Sequence, residues 1–208
     1  IVTNNKKILA VRFPKQGLFK KLIKNLGYPL AAPSANISNK LSSVKASDVK
    51  EEFGNKIKFV LDGGKCKVGI ESTIISLVKK PEILRLGGIE NSKIKKVLNK
   101  PIIININPNK KNVPGQSKLH YSPGIPLRMN AKKLKKDEAF VVLKKKNIKN
   151  KDCFYLSKKG NLNEATKNLY STLRKIKKKG YKSIAVEKIK SVGLGQSIND
   201  RLNRASKF

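Results

Sequence analysis

Residues 29–43 read PLAAPSANISNKLSS, a stretch in which small residues and hydroxyl groups crowd together beside two prolines. Each of its four serine hydroxyls can donate and accept a hydrogen bond, and Asn36 adds an amide. A turn-rich segment with such groups and free backbone N–H donors suits the binding of phosphate or carboxylate oxygens. The stretch therefore favours a ligand-binding loop, although a solvated Ser/Asn loop has the same composition.

Length and composition restrict the class of protein. A chain of 208 residues is long enough for one large or two small domains with a real hydrophobic core. No apolar run approaches the roughly 18 residues that a membrane helix needs, and no signal peptide is recognisable, so we expect a cytoplasmic protein without a membrane partner. Two widely spaced cysteines, Cys66 and Cys153, argue against a disulfide framework.

The formal net charge is +35, and six of the 48 basic residues are arginine, which leaves 42 lysines. This excess of lysine is more typical of AT-rich codon usage than of an evolved groove of guanidinium groups. A protein with this charge is nevertheless expected to bind RNA weakly and in a salt-sensitive way. Specific RNA recognition is not implied, because the chain has no aromatic-plus-basic motif, zinc knuckle or GXXG clamp.

The first hundred residues predict short helices and strands. Apolar residues at helical spacing predict one helix over residues 16–26, ended by Gly27, and a second short helix is predicted over residues 46–53, closed by Gly54. A third short helix is expected at 92–98, with Ser92 as its N-cap. Apolar or β-branched runs predict strands at residues 8–11, 57–61, 72–78 and 83–86.

Residues 101–126 contain five prolines among Asn, Lys and Gly, which predicts a linker with a short strand at 102–104. Strands and helices alternate in the remainder of the chain, which implies an α/β domain with a parallel sheet. The predicted strands are residues 139–143 and 183–186, and the predicted helices are residues 163–178, stopped by Gly180, and a final helix that follows Gly193 and Gly195.

Four motifs in the first ninety residues occur in the order found in the Sua5/YrdC family. They are AAPSANIS at 31–38, LDGG at 61–64, GIESTII at 69–75 and ILRLGGI at 83–89. Each motif is weak alone, but four in register resemble this family far more specifically than a lone glycine-rich pattern would. Residues 114–123, PGQSKLHYSP, are similar to the linker of the long Sua5 type, and residues 193–202, GLGQSINDRL, are similar to its tail.

The resemblance implies an α/β fold in two parts. Residues 1–100 would be the C-terminal portion of a YrdC-like twisted mixed-sheet domain, and residues 101–126 would be a linker that acts as a lid. Residues 127–208 would form a second, small α/β, Rossmann-like Sua5 domain.

The resemblance also implies an activity, the synthesis of threonylcarbamoyl-adenylate for tRNA modification. Its substrates would be ATP, L-threonine and bicarbonate, Mg²⁺ would accompany ATP, and the product would pass to a downstream tRNA-modifying transferase complex. Such a reaction leaves little covalent work to the protein, which has to position the reactants and stabilise charge on phosphate. No catalytic nucleophile is therefore expected.

The family's motif positions suggest individual binding residues. Arg12, Ala32 and Ser72 look like L-threonine-binding residues, and Ser34, Ser42, Arg85 and Tyr121 look like ATP-binding residues. A guanidinium that grips a carboxylate through two hydrogen bonds is the physical reason for arginine at position 12. Tyr121 would close the linker over the nucleotide. Surface charge at Arg12 or Arg85, a strand hydroxyl at Ser72 and a linker anchor at Tyr121 are the plainer alternatives.

One family motif does not occur in these 208 residues: Pro-Thr-x-Thr-x-Tyr-Gly-Leu, with the Lys-Arg pair that faces the triphosphate. We therefore expect a chain that lacks the N-terminal part of the YrdC-like domain, as a fragment or a degenerate relative. A non-catalytic RNA-binding or accessory module and a carbamoyl-adenylate enzyme with another acceptor stay open. Two further sets of residues could carry chemistry. Cys66 and His120 could form a nucleophile pair, but no third group that would orient the histidine accompanies them. Asp62 or Glu71 could contact magnesium.

Overall fold

The structure is a computed structural model that describes residues 7–106, 113–146 and 150–207. Residues 107–112 of the predicted linker lie outside the described residues. We call residues 7–106 the N-terminal unit, residues 113–126 the linker, and residues 127–207 the C-terminal unit.

Two helices of the N-terminal unit form where the sequence predicts them. Helix α1, Gly17–Leu26, begins after Gln16, whose side chain accepts a hydrogen bond from the Phe19 N–H group. It ends at Gly27, whose φ of 72° is a left-handed conformation that glycine adopts without strain. Helix α2 is Ala46–Phe53. Both predictions are confirmed, because helix formation depends on contacts that are local in the sequence.

The N-terminal unit contains a three-stranded mixed sheet. In the order β1-β2-β3, its strands are Ile74–Ser76, Glu82–Arg85 and Ile103–Ile104. Strands β1 and β2 are antiparallel, whereas β2 and β3 are parallel. Helix α3, Asn91–Leu98, connects β2 to β3, and it begins after Glu90 instead of the predicted cap Ser92. The three strands confirm the predictions at 72–78, 83–86 and 102–104, with shorter boundaries.

Two predicted strands are wrong. Residues 8–11 and 57–61 form no strand, and they lie at the surface, where the Phe59 side chain is 89% exposed. A strand is stable only when its N–H and C=O groups pair with a neighbouring strand. Apolar letters indicate strand propensity, but within the described residues neither segment has a neighbour with which to pair.

The C-terminal unit is an α/β unit with a parallel sheet, as predicted. In chain order its strands are β4 (Leu127–Arg128), β5 (Glu138–Lys144), β6 (Cys153–Ser157) and β7 (Ser183–Val186). They pair in the order β4-β7-β5-β6, all parallel. Helices α4, Leu162–Lys178, and α5, Leu194–Ala205, follow β6 and β7. The sequence does not predict β4 or β6.

The main hydrophobic core is shared by the two units. Its buried side chains include Leu41 and Val44 of the N-terminal unit, Leu169, Leu173 and Ile176 of α4, and Ile198 and Leu202 of α5. The apolar faces of α4 and α5 therefore hold the loop around residue 42 against the C-terminal unit. Among the described residues no helix combines the length and the hydropathy that crossing a bilayer requires.

Candidate functional site

Glu71, three residues before the start of β1, is the centre of the contact between the two units. Its carboxylate accepts hydrogen bonds from Ser42 Oγ at 2.6 Å, from Arg201 Nε at 2.7 Å, and from the Tyr170 hydroxyl at 3.1 Å. Burial alone would raise the pKa of this carboxyl, but the Arg201 charge and the hydrogen bonds hold the pKa below its usual value. We call this region the seam, and its members are Ser42, Glu71, Arg85, Tyr121, Tyr170 and Arg201.

Arg201 of α5 is the buried cation of the seam, with 1% of its surface exposed. Its Nη1 donates to an Asp200 carboxylate oxygen at 2.7 Å, and its Nη2 donates to the Leu86 carbonyl at 2.6 Å. Burial would lower the pKa of Arg201, but the nearby tyrosines and carboxylates raise it above its usual value. A buried charge is tolerated when it is paired and hydrogen-bonded in this way.

Tyr121 is the linker residue that lies in the seam. It is 1% exposed, and its φ of 61° is in the left-handed region that a bulky residue rarely adopts. The Arg201 guanidinium lies 4.9 Å from its ring centroid, and the Tyr170 ring stacks on it at 5.9 Å. Its hydroxyl has no hydrogen-bond partner in the described part of the chain. Burial raises the pKa of Tyr121 to about 12, so this hydroxyl is a neutral donor.

Gly115 allows the Tyr121 hydroxyl to approach Arg85. A Cβ atom at Gly115 would lie 2.4 Å from that hydroxyl and 3.1 Å from Arg85 Cδ, and the φ of 88° is left-handed, so a larger residue would strain the backbone and displace these side chains. Arg85 is itself held by two carbonyls, since its Nε donates to Ser72 at 3.0 Å and its Nη1 donates to Pro114 at 3.1 Å. A β2 residue and a linker residue that are far apart in sequence thus lie side by side.

Arg12 is the arginine whose donors remain available. It is exposed, and within residues 7–106, 113–146 and 150–207 it is the one arginine whose guanidinium makes no hydrogen bond or ion pair. Burial lowers the pKa of Arg85, and the positive charges of Arg201 and Arg12 lower it further.

The other motif residues take different positions. The predicted residues in or against the seam are Ser42, Arg85, Tyr121 and, through its backbone carbonyl, Ser72. Ala32 and Ser34 are exposed in the loop formed by residues 29–43. The Ser42 hydroxyl already donates its proton to Glu71, so it has only acceptor capacity left for a ligand.

The remaining candidates for chemistry have structural roles. Nδ1 of His120 accepts a hydrogen bond from the Tyr121 N–H group at 3.0 Å, and burial lowers the pKa of His120. Burial raises the pKa of Cys66, which is the opposite of what activates a thiol. Asp62 accepts from the Gly64 N–H group within its own turn. In the described residues, no cluster of three or more His, Cys, Asp or Glu could hold a metal ion.

Two residues of α5 carry no sequence prediction, although they contact the site or its linker. Arg201 belongs to the seam, and Arg204 donates to the carbonyls of Gln116 and Ser117 in the linker at 3.0 and 2.8 Å. One signal was available, because Arg201 lies three residues after Ile198 and so shares the apolar face of the predicted helix. A charge on such a face is expected only where it has a buried partner.

The fold and the seam define a two-unit α/β protein in which a linker tyrosine packs against an arginine of the last helix. A family model described as "Threonylcarbamoyl-AMP synthase, C-terminal domain" matches residues 89–207, which is more than half of the chain. The Sua5/YciO/YrdC model, described as "Telomere recombination", matches residues 1–87. The chain belongs to the Sua5 family.

Three curated threonylcarbamoyl-AMP synthases are similar to this chain. The relative from Pyrococcus abyssi is 31% identical over 228 residues, that from Schizosaccharomyces pombe 30% over 243, and that from Bacillus subtilis 38% over 131. These matches cover 100%, 99% and 61% of this chain. They cover 66%, 59% and 38% of the relatives, so the chain spans less than two thirds of their length.

Two solved structures share the fold. A crystal structure of P. abyssi Sua5 complexed with L-threonine has a TM-score of 0.83 at 31% identity, and the match covers 98% of this chain and 65% of that one. A structure of P. abyssi Sua5 in which an adjacent histidine and tyrosine are both replaced by alanine has a TM-score of 0.79 at 30% identity, with coverages of 95% and 62%.

Proposed function

We propose that the seam, Arg12 and the loop of residues 29–43 form the L-threonine-binding side and part of the nucleotide-binding side of a threonylcarbamoyl-AMP synthase. The names of the three relatives support this activity. One observation carries the proposal: Arg85 and Tyr121 lie beside Gly115 at the seam, and Arg12 is an exposed arginine whose guanidinium has no partner within the described residues. In this proposal residues 1–100 belong to the catalytic domain, 101–126 to a lid and 127–208 to the Sua5 domain.

Arg12 is proposed to hold the carboxylate of L-threonine. Its exposed guanidinium can form two parallel hydrogen bonds with a carboxylate, an interaction about twice as strong as a neutral hydrogen bond. The Ala32 backbone and the exposed Ser72 hydroxyl would supply further contacts with the amino acid. The complex of P. abyssi Sua5 with L-threonine supports the choice of this substrate.

The nucleotide is proposed to lie against Arg85 and Tyr121, with Ser34 and Ser42 as further contacts. Arg85 uses two donors on carbonyls and keeps others for phosphate oxygens. The buried Tyr121 hydroxyl has a proton to donate and no partner for it within the described residues, so a ligand oxygen would satisfy it. His120 is the single histidine of this chain, and Tyr121 follows it directly. The P. abyssi variant also has an adjacent histidine and tyrosine as its replaced positions, so the two proteins are similar in carrying such a pair.

The proposed reaction has two steps. The amine of L-threonine attacks the carbon of bicarbonate and water leaves, which gives a carbamate. A carbamate oxygen then attacks the α-phosphorus of ATP, the bond to the β-phosphate oxygen breaks, and pyrophosphate departs. The side chains of this chain would align the reactants, and the Arg12 and Arg85 charges would offset the negative charge.

Mg²⁺ is proposed to enter with ATP. Within the described residues the carboxylates do not form a metal cage, because Glu71 is occupied by Ser42, Tyr170 and Arg201, and Asp62 caps its own turn. Magnesium in nucleotide sites is commonly held by substrate phosphates and water, with one or two carboxylates. We therefore assign no step to a protein-bound metal. A downstream tRNA-modifying transferase complex and a cytoplasmic location follow from the same proposal.

Calorimetric titration of the 208-residue chain with L-threonine tests the proposal. We expect binding of L-threonine, and we expect Arg12→Ala to weaken it about 10- to 100-fold, as the loss of a charge-assisted hydrogen bond does. Lys15→Ala is the matched control, because it removes an exposed positive charge three residues away. Unchanged affinity in Arg12→Ala, or an equal loss in Lys15→Ala, would exclude Arg12 as the carboxylate-binding residue.

Pyrophosphate release tests turnover separately. Release that requires ATP, L-threonine and bicarbonate together is the expected result. Because the family's triphosphate-facing motif does not occur in these 208 residues, we assign no residue to the β- and γ-phosphates, and threonine binding is the first measurement. Release that is independent of L-threonine would contradict the proposed reaction.

An RNA contact is proposed as a weak, non-specific interaction that follows from the net charge of +35. Its affinity should fall steeply and linearly on a plot of log K against log salt, and it should not depend on RNA sequence. Nanomolar affinity for RNA without any ATP or threonine binding would instead favour the accessory-module function.

A further inference from the structure

We propose that Arg201 of α5 is a positioning residue for the lid: it fixes the Tyr121 ring and the Glu71 carboxylate, so that the C-terminal unit sets the geometry of the nucleotide-binding side. The nucleotide part of this inference rests on the proposed function. The positioning part concerns the arrangement of the protein alone and can be measured independently.

The three guanidinium nitrogens of Arg201 connect separate parts of the chain. Nε donates to Glu71 before β1, Nη2 donates to the Leu86 carbonyl after β2, and Nη1 donates to Asp200 on α5 itself. The plane of the guanidinium is thereby fixed at three points. A lysine ammonium in the same place would keep the charge but could not make this planar set of contacts.

The Tyr121 ring lies against that fixed plane. Its centroid is 4.9 Å from the Arg201 guanidinium carbon, and the Tyr170 ring of α4 stacks on it. Both contacts come from helices of the C-terminal unit. The Tyr121 hydroxyl itself lies beside Gly115 and Arg85.

The backbone at Tyr121 needs such support. A φ of 61° is unfavourable for a tyrosine and persists only where the surroundings determine it. Arg204, one turn after Arg201, fixes the linker backbone at Gln116 and Ser117 and shares the Asp200 carboxylate. Two arginines of one helix therefore hold the start of the lid and its tyrosine.

Fluorine NMR of protein labelled with 3-fluorotyrosine measures the positioning. The chain has five tyrosines, so five resonances are expected, and Tyr121→Phe assigns the one that matters. We expect Arg201→Met and Arg201→Lys to shift or broaden the Tyr121 resonance. If Arg201→Met does not fold, Arg201→Lys carries the test, because it retains the positive charge opposite Glu71.

Arg174→Met is the matched control. Arg174 of α4 also joins the two units, through the Leu41 carbonyl at 2.6 Å and Glu52, but it does not contact Tyr121. We expect this variant to lose stability and to leave the Tyr121 resonance in place. An unmoved Tyr121 resonance in both Arg201 variants, or an equal movement in Arg174→Met, would overturn the positioning role.

The effect of Arg201 on nucleotide binding is tested by comparing the affinity for ATP with the affinity for L-threonine. In Arg201→Lys we expect the affinity for ATP to fall about tenfold, while the affinity for L-threonine changes less than about twofold, because Arg12 does not contact Arg201. A moved Tyr121 resonance with unchanged ATP affinity would overturn the nucleotide part. Failure of the wild-type chain to bind either ligand would overturn the proposed function and leave the NMR result to decide the positioning.

Discussion

Replacement of Glu71 by glutamine tests whether the seam depends on a buried ion pair. Glutamine keeps the size of the side chain and one carbonyl oxygen as an acceptor, so the change removes mainly the negative charge that faces Arg201 at 2.7 Å. Breaking a buried ion pair typically costs about 3–5 kcal/mol. Asp200 still lies 2.7 Å from Arg201 Nη1, so we expect the lower end, about 3 kcal/mol.

Thermal unfolding followed by circular dichroism measures this loss. For a chain of this size each kcal/mol lowers Tm by about 2–4 °C, so Glu71→Gln should lower Tm by about 6–12 °C. Glu51→Gln is the control, because Glu51 pairs with Lys178 in solvent, where the two side chains are 48% and 59% exposed. Such a pair contributes about 0–1 kcal/mol. Equal shifts in the two variants would refute the reasoning.

Three other predictions concern the core, a close backbone approach and acid pH. Leu169→Ala should lower the free energy of unfolding by about 2–5 kcal/mol in urea titrations, because the side chain is fully buried, whereas the exposed Val97→Ala should stay within about 0.5 kcal/mol. Gly87→Ala should give little folded protein by circular dichroism, since its Cβ would lie 2.1 Å from a backbone nitrogen, while Gly17→Ala, with no atom within 4 Å, should fold normally. The contribution of Glu71 is fully present above its usual pKa of 4.5 and is lost as the pH falls through its lower folded pKa, so stability should fall less steeply in acid for Glu71→Gln than for the wild type.

The helices of this chain could be predicted because their signals are local. Residues 16–26 combine apolar periodicity with a terminal glycine, residues 46–53 are followed by Gly54, and α1 and α2 follow those limits closely. The strands at 8–11 and 57–61 fail because a strand also needs a neighbour, which no local pattern supplies. Strand β6 carries no sequence prediction although Phe154 and Tyr155 favour a strand, because so short an apolar run becomes a strand only through its parallel pairing with β5.

The sequence likewise predicts only part of the candidate site. Motif positions indicate Arg85 and Tyr121, which the structure places beside Gly115. They do not indicate the hydrogen bonds from Ser42 and Arg201 to Glu71, because those contacts join residues that are 29 and 130 positions apart. The Arg201 contact exists only because α5 docks against the segments before β1 and after β2, and that docking depends on the shared core.

Arginine and lysine have separate roles in this chain, and the separation gives Arg12 its significance. In the described residues five of the six arginines donate to carbonyl or carboxylate oxygens, namely Arg85, Arg128, Arg174, Arg201 and Arg204. Planar guanidinium groups with five donors suit such fixed contacts, whereas lysine meets a need for solvated charge alone. In a chain with 42 lysines, an exposed arginine without a partner among the described residues fits the role proposed for Arg12, the binding of a carboxylate. Arg12→Lys tests whether position 12 contributes the guanidinium fork or only a positive charge. If the fork matters, this variant should bind L-threonine more weakly than the wild type. An affinity close to that of the wild type would show that the charge alone is sufficient.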